Sequence, residues 1–230
     1  MIENSRLAGP FFCENSQDSI KNIIIMLHGY GSNGDDLIQL AHELKSDFKN
    51  TFFSSPNAPF KFDRFEGGLK WFEVYPDGIP FSEASHKQQE FVKNQFRISC
   101  ELIQKHIYDL SGRYKIPINN IFLLGFSQGS MMGIEVSLKL KESLAGLVSL
   151  SGRVFTEYFT YKTKNNFPIM VIHGDNDEII PKKRYYETCE ILEKLNLTVE
   201  KHLIKNMGHT ISPKVLEISK NFFKKNSKIH

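Results

Sequence analysis

Short apolar runs recur along the chain, and each ends at or beside a glycine or a proline. The runs are NIIIML (22–27), TFFSS (51–55), NIFLLG (120–125), LAGLVSLSG (144–152) and PIMVIHG (168–174). Continuous apolar runs of this length are typical of strands covered on both faces, as in a mostly parallel sheet. A sixth run, TVEKHLI (198–204), alternates more and predicts a strand nearer an edge of the sheet.

Helical patterns fall between these runs. They cover Asp35 to Leu44, 87–110, Gln128 to Leu140, Lys182 to Leu195 and 213–225. The long pattern at 87–110 is expected to bury a stripe made of Phe91, Ile98, Leu102 and Ile107. Ser212 is the expected N-cap of the last helix, with Pro213 in its first turn. Strands that alternate with helices predict an α/β fold, a doubly wound and mostly parallel sheet with helices on both faces.

Length and composition describe a soluble globular protein. The 230 residues are 40% hydrophobic and 24% charged, which predicts a single domain spanning 1–230. The net charge of +3 is small and well mixed, which argues against a nucleic-acid partner. The N-terminus has no signal pattern, and the longest apolar run, Ile23 to Leu27, is too short to span a bilayer. We therefore expect no stable membrane anchor.

The cysteines and the C-terminal lysines carry little chemistry by themselves. Cys13, Cys100 and Cys189 are odd in number and far apart, so neither a disulfide framework nor a metal site is expected, and a cytoplasmic location fits best. In the last thirty residues only Glu217 offsets a set of lysines: Lys201, Lys205, Lys214, Lys220, Lys224, Lys225 and Lys228. A solvated helix face explains this set more simply than contact with an anionic membrane.

A serine stands between two glycines where a predicted strand meets a predicted helix. The stretch LLGFSQGS (123–130) places Ser127 between Gly125 and Gly129. A nucleophile elbow needs this context, because its tight turn requires small neighbours and the following helix directs free N–H groups toward a developing oxyanion. The pattern predicts Ser127 as a nucleophile.

A nucleophilic serine needs a base, and the base needs an acid that orients it. In hydrolases with such an elbow the acid and then the histidine follow the serine along the chain. His209 lies in the loop NMGHTISP (206–213) after a predicted strand, which makes it the candidate base. His28 and His173 end strands and are expected to make structural hydrogen bonds. For the acid, residues alone leave three candidates, namely Asp175, Asp177 and, more weakly, Glu178.

A glycine-rich loop, LHGYGSNGDDL (27–37), follows the first predicted strand and is the expected source of the second oxyanion donor. A phosphate-binding loop is the rival interpretation. The glycines at 29, 31 and 34 match G-x-G-x-x-G literally, but G-x-x-x-x-G-K-[ST] is missing and no distant acid follows in the needed context. An isolated match of this kind is weak evidence for a dinucleotide.

Six motifs in order resemble the phospholipase/carboxylesterase family of α/β-hydrolases, which includes the acyl-protein thioesterases and small bacterial carboxylesterases. They are LHGYGSNGDDL, SPNAPF (55–60), WFEVYP (71–76), GFSQGS, HGDNDEIIP (173–181) and MGHTIS. The resemblance implies Ser127 as nucleophile, His209 as base and Asp177 as the orienting acid. It further implies the amides of Tyr30 and Gln128 as the oxyanion hole, and Trp71 and Phe72 as part of a loop beside the acyl pocket.

The sequence departs from the family pattern at three positions. Ser130 replaces the last glycine of the usual GFSQGG, Tyr30 stands where the eukaryotic thioesterases have an aliphatic residue, and Glu73 replaces a common aspartate. The last two lie near the expected groove and bear on substrate preference. The aromatic and polar segment 153–166 is a candidate to shape or cover that groove.

The expected activity is hydrolysis of carboxylic esters through an acyl-enzyme, with no metal and no organic cofactor. The alternative within enzymes is a thioesterase or lysophospholipase that acts on long-chain acyl groups. The alternative outside enzymes is a catalytically silent binding module, which the presence of all three triad members disfavours. The expected partner is a small-molecule or lipid acyl ester, and apolar surface beside the groove would also support a homodimer.

Overall fold

The computed structural model describes residues 6–15, 19–155 and 165–227. The helices of this part are α1 (Gly34–Leu44), α2 (His86–Tyr114), α3 (Gln128–Lys139), α4 (Lys182–Lys194) and α5 (Pro213–Asn226). The strands are β1 (Phe11–Phe12), β2 (Asn22–Leu27), β3 (Thr51–Ser54), β4 (Phe60–Lys61), β5 (Leu69–Lys70), β6 (Ile121–Phe126), β7 (Gly146–Leu150), β8 (Ile169–Gly174) and β9 (Val199–Ile204). All six predicted strands and all five predicted helices are therefore present, with ends within a few residues of the prediction.

Seven of the described strands form one sheet in the order β1-β3-β2-β6-β7-β8-β9. Every neighbouring pair is parallel except β1 with β3. The predicted mostly parallel sheet is thus confirmed, and β9, the strand predicted nearer an edge, is one of its two edge strands. Two features were not predicted, the antiparallel β1 and the small β4-β5 hairpin, because strands of two residues leave no periodic signal.

Helices cover both faces of the sheet, as the doubly wound prediction requires. Along β2, Ile23 and Ile25 join the hydrophobic cluster that α2, α3 and α4 contribute to, whereas Ile24 joins the cluster with residues of α1 and α5. Successive residues of a strand point to opposite faces, so a strand covered twice has to be apolar throughout. This packing explains the uninterrupted apolar runs.

The predicted apolar stripe of α2 is correct at Ile107, which is buried, and wrong at Phe91, Ile98 and Leu102. Phe91 is exposed, and the buried side chains are those of Val92, Gln95, Phe96, Ser99, Cys100, Ile103, Ile107 and Leu110. These positions follow the three- and four-residue spacing of a helix face. Two of them, Gln95 and Ser99, are polar because they hydrogen-bond the backbone of residues 73 and 71. The prediction used apolar residues only, so it missed these two polar positions of the buried face.

The N-terminal cap of α5 matches the sequence prediction. Ser212 accepts a hydrogen bond from the Val215 amide at 3.4 Å and caps α5, whose first turn contains Pro213. On the exposed side of α5, Lys224 pairs with Asp47 at 2.5 Å and Lys225 with Glu200 at 3.4 Å. Acids from elsewhere in the chain therefore offset C-terminal lysines, which supports the solvated-face interpretation.

The parallel strands β2, β6, β8 and β9 all end at one edge of the sheet. The loops that follow them begin at His28, Ser127, Asp175 and Lys205. In open α/β sheets this edge is where ligands bind. The fold therefore gathers four loops from distant parts of the sequence at one place.

Candidate active site

Ser127 occupies a strained turn between β6 and α3. Its backbone has φ 54° and ψ −116°, a conformation that side-chain-bearing residues rarely adopt. The Ser127 amide donates to the Leu150 carbonyl at 2.9 Å, which helps hold the turn. Strain of this kind costs about 1–3 kcal/mol and is concentrated at functional sites.

The glycines around Ser127 are steric requirements. A Cβ atom on Gly125 would lie 2.4 Å from the Gly129 carbonyl oxygen. A Cβ atom on Gly129 would lie 1.9 Å from the Leu27 carbonyl oxygen. Ser130, which departs from the family glycine, fits because its Oγ lies 2.6 Å from the Ser149 Oγ in a buried hydrogen bond.

His209 and Asp177 lie in contact beside this turn. The Nδ1 atom of His209 is 2.8 Å from Oδ2 of Asp177, and the carboxylate side chain is fully buried. The imidazole of His209 packs on the ring of Phe126, the residue before Ser127, at 4.9 Å between centroids. The loops after β8 and β9 are thus brought to the end of β6.

Backbone amides fix the other oxygen of Asp177. Its Oδ1 accepts from the Ile179 amide at 3.0 Å and from the Ile180 amide at 2.8 Å. The rival acid Asp175 accepts instead from the Asn206 amide at 2.7 Å, and Glu178 is exposed. Of the three candidate acids, Asp177 is the one the structure places against His209.

The histidines that end β2 and β8 make backbone hydrogen bonds. Nδ1 of His28 lies 2.8 Å from the Gly29 carbonyl, and its Nε2 accepts from the Ala58 amide at 3.1 Å. One donor and one acceptor describe a neutral ring, and burial lowers the pKa of His28 to about 4. Nε2 of His173 lies 2.7 Å from the Ile180 carbonyl, and burial lowers the pKa of His173. His28 begins the loop after β2 and His173 is the penultimate residue of β8, so both support the backbone beside the loops that follow these strands.

The loop of Tyr30 approaches the serine closely. A Cβ atom built on Gly29 would lie 3.4 Å from the Ser127 Cβ, so the backbone just before Tyr30 lies against the nucleophile candidate. Gly31 follows with φ +80°, and its amide donates to the Leu69 carbonyl at 2.8 Å. Gln128 is the first residue of α3, where amides lack helical partners. The two predicted oxyanion donors therefore flank Ser127.

The Gln128 side chain makes hydrogen bonds that the sequence did not indicate. Its Oε1 accepts from the Trp71 amide at 2.8 Å, and its Nε2 donates to the Phe72 carbonyl at 2.8 Å. The Trp71 Nε1 donates in turn to the His28 carbonyl at 2.9 Å. The segment containing the two aromatic residues is thereby fixed behind the elbow.

A cavity of about 340 Å³ opens beside Ser127. Its wall is mostly apolar, with a few charged groups: Tyr30, Phe72, Glu73, Val74, Tyr75, Pro80, Phe81, Ser82, Ser127, Gln128, Met131, Arg153, Phe155, Ile179, Ile180, Pro181 and Arg184. Phe72 therefore lies on the wall of the cavity beside Ser127. Trp71 does not line the cavity, because its ring is fully buried and packs on His28.

Residues at the start of the segment 153–166, which was predicted to shape the groove, lie on the wall of the cavity. Arg153 and Phe155 line the cavity, with the Arg153 guanidinium 5.2 Å from the centre of the Phe155 ring. Residues 156–164 of that segment lie outside the described residues, and Asn165 and Asn166 at its end do not line the cavity. Within the described ranges, no group of three His, Cys, Asp or Glu side chains could hold a metal ion, and no helix is both long and apolar enough to cross a bilayer.

A mostly parallel sheet with a serine elbow at the end of a central strand defines an α/β-hydrolase. The sequence profile of the phospholipase/carboxylesterase family matches residues 9–227, and the chain belongs to this family. It is a carboxylic ester hydrolase.

Curated relatives and solved structures agree with this family. The acyl-protein thioesterase 1 of Candida albicans is 26% identical over 225 residues, covering 90% of this chain and 94% of that protein. The acyl-protein thioesterase 1 of Saccharomyces cerevisiae is 29% identical over 223 residues, covering 89% and 92%. The crystal structure of esterase PE8 superposes with a TM-score of 0.83 at 26% identity, covering 96% of this chain and 99% of that one. The carboxylesterase of Bacillus cereus, at 21% identity and a TM-score of 0.77, shares the fold over 97% of this chain and 96% of its own.

Proposed function

We propose that the chain hydrolyses carboxylic esters through an acyl-enzyme on Ser127, with His209 as general base and Asp177 as the acid that orients it. The observation that carries this proposal is the contact between His209 Nδ1 and the buried Asp177 carboxylate at 2.8 Å, beside the strained turn at Ser127. An Nδ1 proton held by this carboxylate leaves Nε2 free to accept a proton.

In the first half of the reaction, the Ser127 Oγ forms a bond to the acyl carbon as its proton passes to His209 Nε2. The carbonyl oxygen becomes an oxyanion, which the amides of Tyr30 and Gln128 stabilise. A donor of this kind is worth about 3 kcal/mol of transition-state stabilisation. The bond from the acyl carbon to the leaving group then breaks, and His209 returns its proton to the departing oxygen or sulfur.

In the second half, water attacks the acyl-enzyme and gives its proton to His209. The same two amides stabilise the second tetrahedral oxyanion. When this intermediate collapses, His209 returns the proton to the Ser127 oxygen and the carboxylic acid is released. The burial of Asp177 favours the imidazolium formed in each half, because a charge pair is stronger away from water. The substrate, one water molecule and the named residues balance these steps.

The cavity supports short or medium acyl esters as the first candidate substrates. Its 340 Å³ lies near the lower end of the roughly 300–1,000 Å³ range of ligand pockets. The rings of Phe72, Phe81 and Phe155 pack together at one side, with centroids 5.3 Å apart for Phe72 and Phe155 and 5.7 Å apart for Phe81 and Phe155. Aromatic rings packed in this way restrict the length of an acyl chain.

A thioesterase acting on longer acyl groups is the second candidate, and the names of the curated relatives favour it. The experiment that separates the two is a kcat/KM profile over p-nitrophenyl esters and matched acyl thioesters from two to sixteen carbons. A maximum at short esters is the expected result. A maximum at long-chain thioesters would transfer the proposal to the second candidate, and turnover retained by Ser127→Ala would remove both.

The cytoplasmic location and the homodimer expected from the sequence stay predictions. Cys13, Cys100 and Cys189 are free thiols, which fits a reducing compartment. Exposed apolar side chains near the cavity, such as Ile179 at 70% exposure, fit a contact surface.

A further inference from the structure

The two residues proposed to supply the oxyanion hole send their side chains to one short segment. The Gln128 amide group makes two 2.8 Å hydrogen bonds, one from the Trp71 N–H and one to the Phe72 carbonyl. The Tyr30 hydroxyl donates to the Glu73 carboxylate. Residues 71–73, which we term the bracing segment, therefore connect the loop after β2 with the first turn of α3.

The bracing segment is itself anchored to the helix behind it. The Ser99 Oγ donates to the Trp71 carbonyl at 2.5 Å, and the Glu73 amide donates to the Gln95 Oε1 at 2.8 Å. Both anchors come from the buried face of α2. A segment held on two sides acts as a rigid spacer, whereas a loop held only by its own backbone bonds does not.

The groups around the Glu73 carboxylate keep it a hydrogen-bond acceptor. Lys70 Nζ lies 2.5 Å from its Oε2, and the amides of Val74 and Tyr75 each donate to its Oε1 at 2.9 Å. Burial alone would raise the pKa of Glu73, but the hydrogen bonds from Lys70, Tyr30 and the Tyr75 amide lower it. Burial, aided by the bond to Glu73, raises the pKa of Tyr30, so its hydroxyl remains a donor.

The Tyr30 and Glu73 side chains meet although they are 43 positions apart. In the resemblance drawn from the sequence, the eukaryotic thioesterases have an aliphatic residue in place of Tyr30, and an aspartate is common in place of Glu73. A longer acid and a phenol together span a distance that an aspartate and an aliphatic side chain would not bridge. The two departures are thus one interaction.

We infer that Tyr30 and Glu73 are positioning residues for the oxyanion hole, since their contact, together with the Gln128 side chain, holds the two donor amides at a fixed spacing through the bracing segment. This inference rests on the proposed oxyanion role of those amides. It predicts that the hydroxyl of Tyr30 contributes to binding of the tetrahedral transition state and adds little to binding of the substrate.

The test compares Tyr30→Phe with wild type on a short p-nitrophenyl ester and on an alkyl boronic acid, which forms a tetrahedral adduct with a nucleophilic serine. A hydrogen bond to a charged group supports an expected loss of about ten-fold or more in kcat, with KM changed less than two-fold. The inhibition constant of the boronic acid should rise by the same factor as kcat/KM falls. Tyr108→Phe, on the far part of α2 and away from the cavity, is the matched control and should leave all three constants unchanged.

A double-mutant cycle with Glu73→Gln tests the pairing. Because the introduced glutamine keeps an acceptor but loses the charge, the single variant should lose part of kcat, and Tyr30→Phe combined with it should lose less than the product of the two single losses. Losses that multiply would overturn the inference. So would a raised KM at unchanged kcat in Tyr30→Phe, which would make Tyr30 a wall residue only.

The outcomes separate this inference from the proposed function. If wild type binds the boronic acid no more tightly than the product carboxylate, the serine mechanism itself is wrong. If wild type binds it tightly and Tyr30→Phe binds it equally well, the mechanism stands and the positioning role is overturned.

Discussion

Asp177→Asn replaces one oxygen of the buried acid by an NH₂ group, and the surroundings decide which oxygen. Oδ1 accepts two backbone amides, from Ile179 and Ile180, at 3.0 and 2.8 Å. An NH₂ group cannot accept either bond, so the remaining carbonyl of the asparagine has to take the Oδ1 place. The NH₂ group then faces Nδ1 of His209, which lay 2.8 Å from Oδ2.

An NH₂ group that faces Nδ1 reverses the hydrogen bond. The amide donates, Nδ1 of His209 becomes the acceptor, and the ring proton moves to Nε2. An Nε2 that already carries a proton cannot take one from Ser127. Reversal of this kind in a serine triad lowers kcat roughly 10⁴-fold, which corresponds to about 5 kcal/mol of barrier.

The assay is kcat/KM for p-nitrophenyl acetate, with ¹⁵N NMR of the histidine ring to identify the tautomer. The matched control is Asp175→Asn, because the Asp175 carboxylate accepts the Asn206 amide at 2.7 Å, and an asparagine carbonyl can accept that bond as well. The control should lose less than ten-fold. Activity of Asp177→Asn within ten-fold of wild type, or a larger loss in the control, would refute the assignment of the acid.

Two further predictions concern stability. Gly129→Ala should lower the free energy of unfolding, measured with urea, by about 3 kcal/mol or more, because its Cβ would lie 1.9 Å from the Leu27 carbonyl oxygen. The control Gly112→Ala, which has open space around it in α2, should raise the free energy of unfolding by about 0.5–1 kcal/mol. Equal stabilities of the two variants would contradict this prediction. Burial lowers the pKa of both His28 and His106 to about 4. Between pH 6.5 and pH 4 these two histidines are therefore protonated in the unfolded chain but neutral in the folded protein. Stability should therefore be full above pH 6.5 and fall toward pH 4 by up to about 1.4 kcal/mol per pH unit for each histidine, and His106→Gln should show a smaller slope than wild type; an unchanged slope would count against it.

Local signals account for the part of the fold that the sequence predicted. Apolar run length, the glycines around Ser127 and the Ser212 cap all act within a few residues, and they indicated the strands, the elbow and the start of α5. The stripe of α2 was misplaced because two of its buried positions, Gln95 and Ser99, are polar and bond the backbone of a distant segment.

Contacts between distant residues account for the part that could not be predicted. The hydrogen bond between Tyr30 and Glu73 joins residues 43 positions apart, and the hydrogen bond from the Trp71 amide to the Gln128 side chain joins residues 57 positions apart. Tyr30 and Glu73 were each noted as departures, but nothing in the sequence indicated that the two side chains pair. The residues alone also left the choice of acid open, and only the family resemblance favoured Asp177, because the partners of Asp175 and Asp177 come from distant loop residues.

The role of Ser127 as nucleophile is tested by the intact mass of the protein after reaction with a fluorophosphonate, followed by peptide mapping of the adduct. A serine nucleophile at the elbow predicts one phosphonyl group per chain, attached to Ser127, with labelling absent in Ser127→Ala and strongly slowed in a His209→Ala variant that keeps the fold. An adduct on another residue, or undiminished labelling of Ser127→Ala, would show that Ser127 is not the nucleophile.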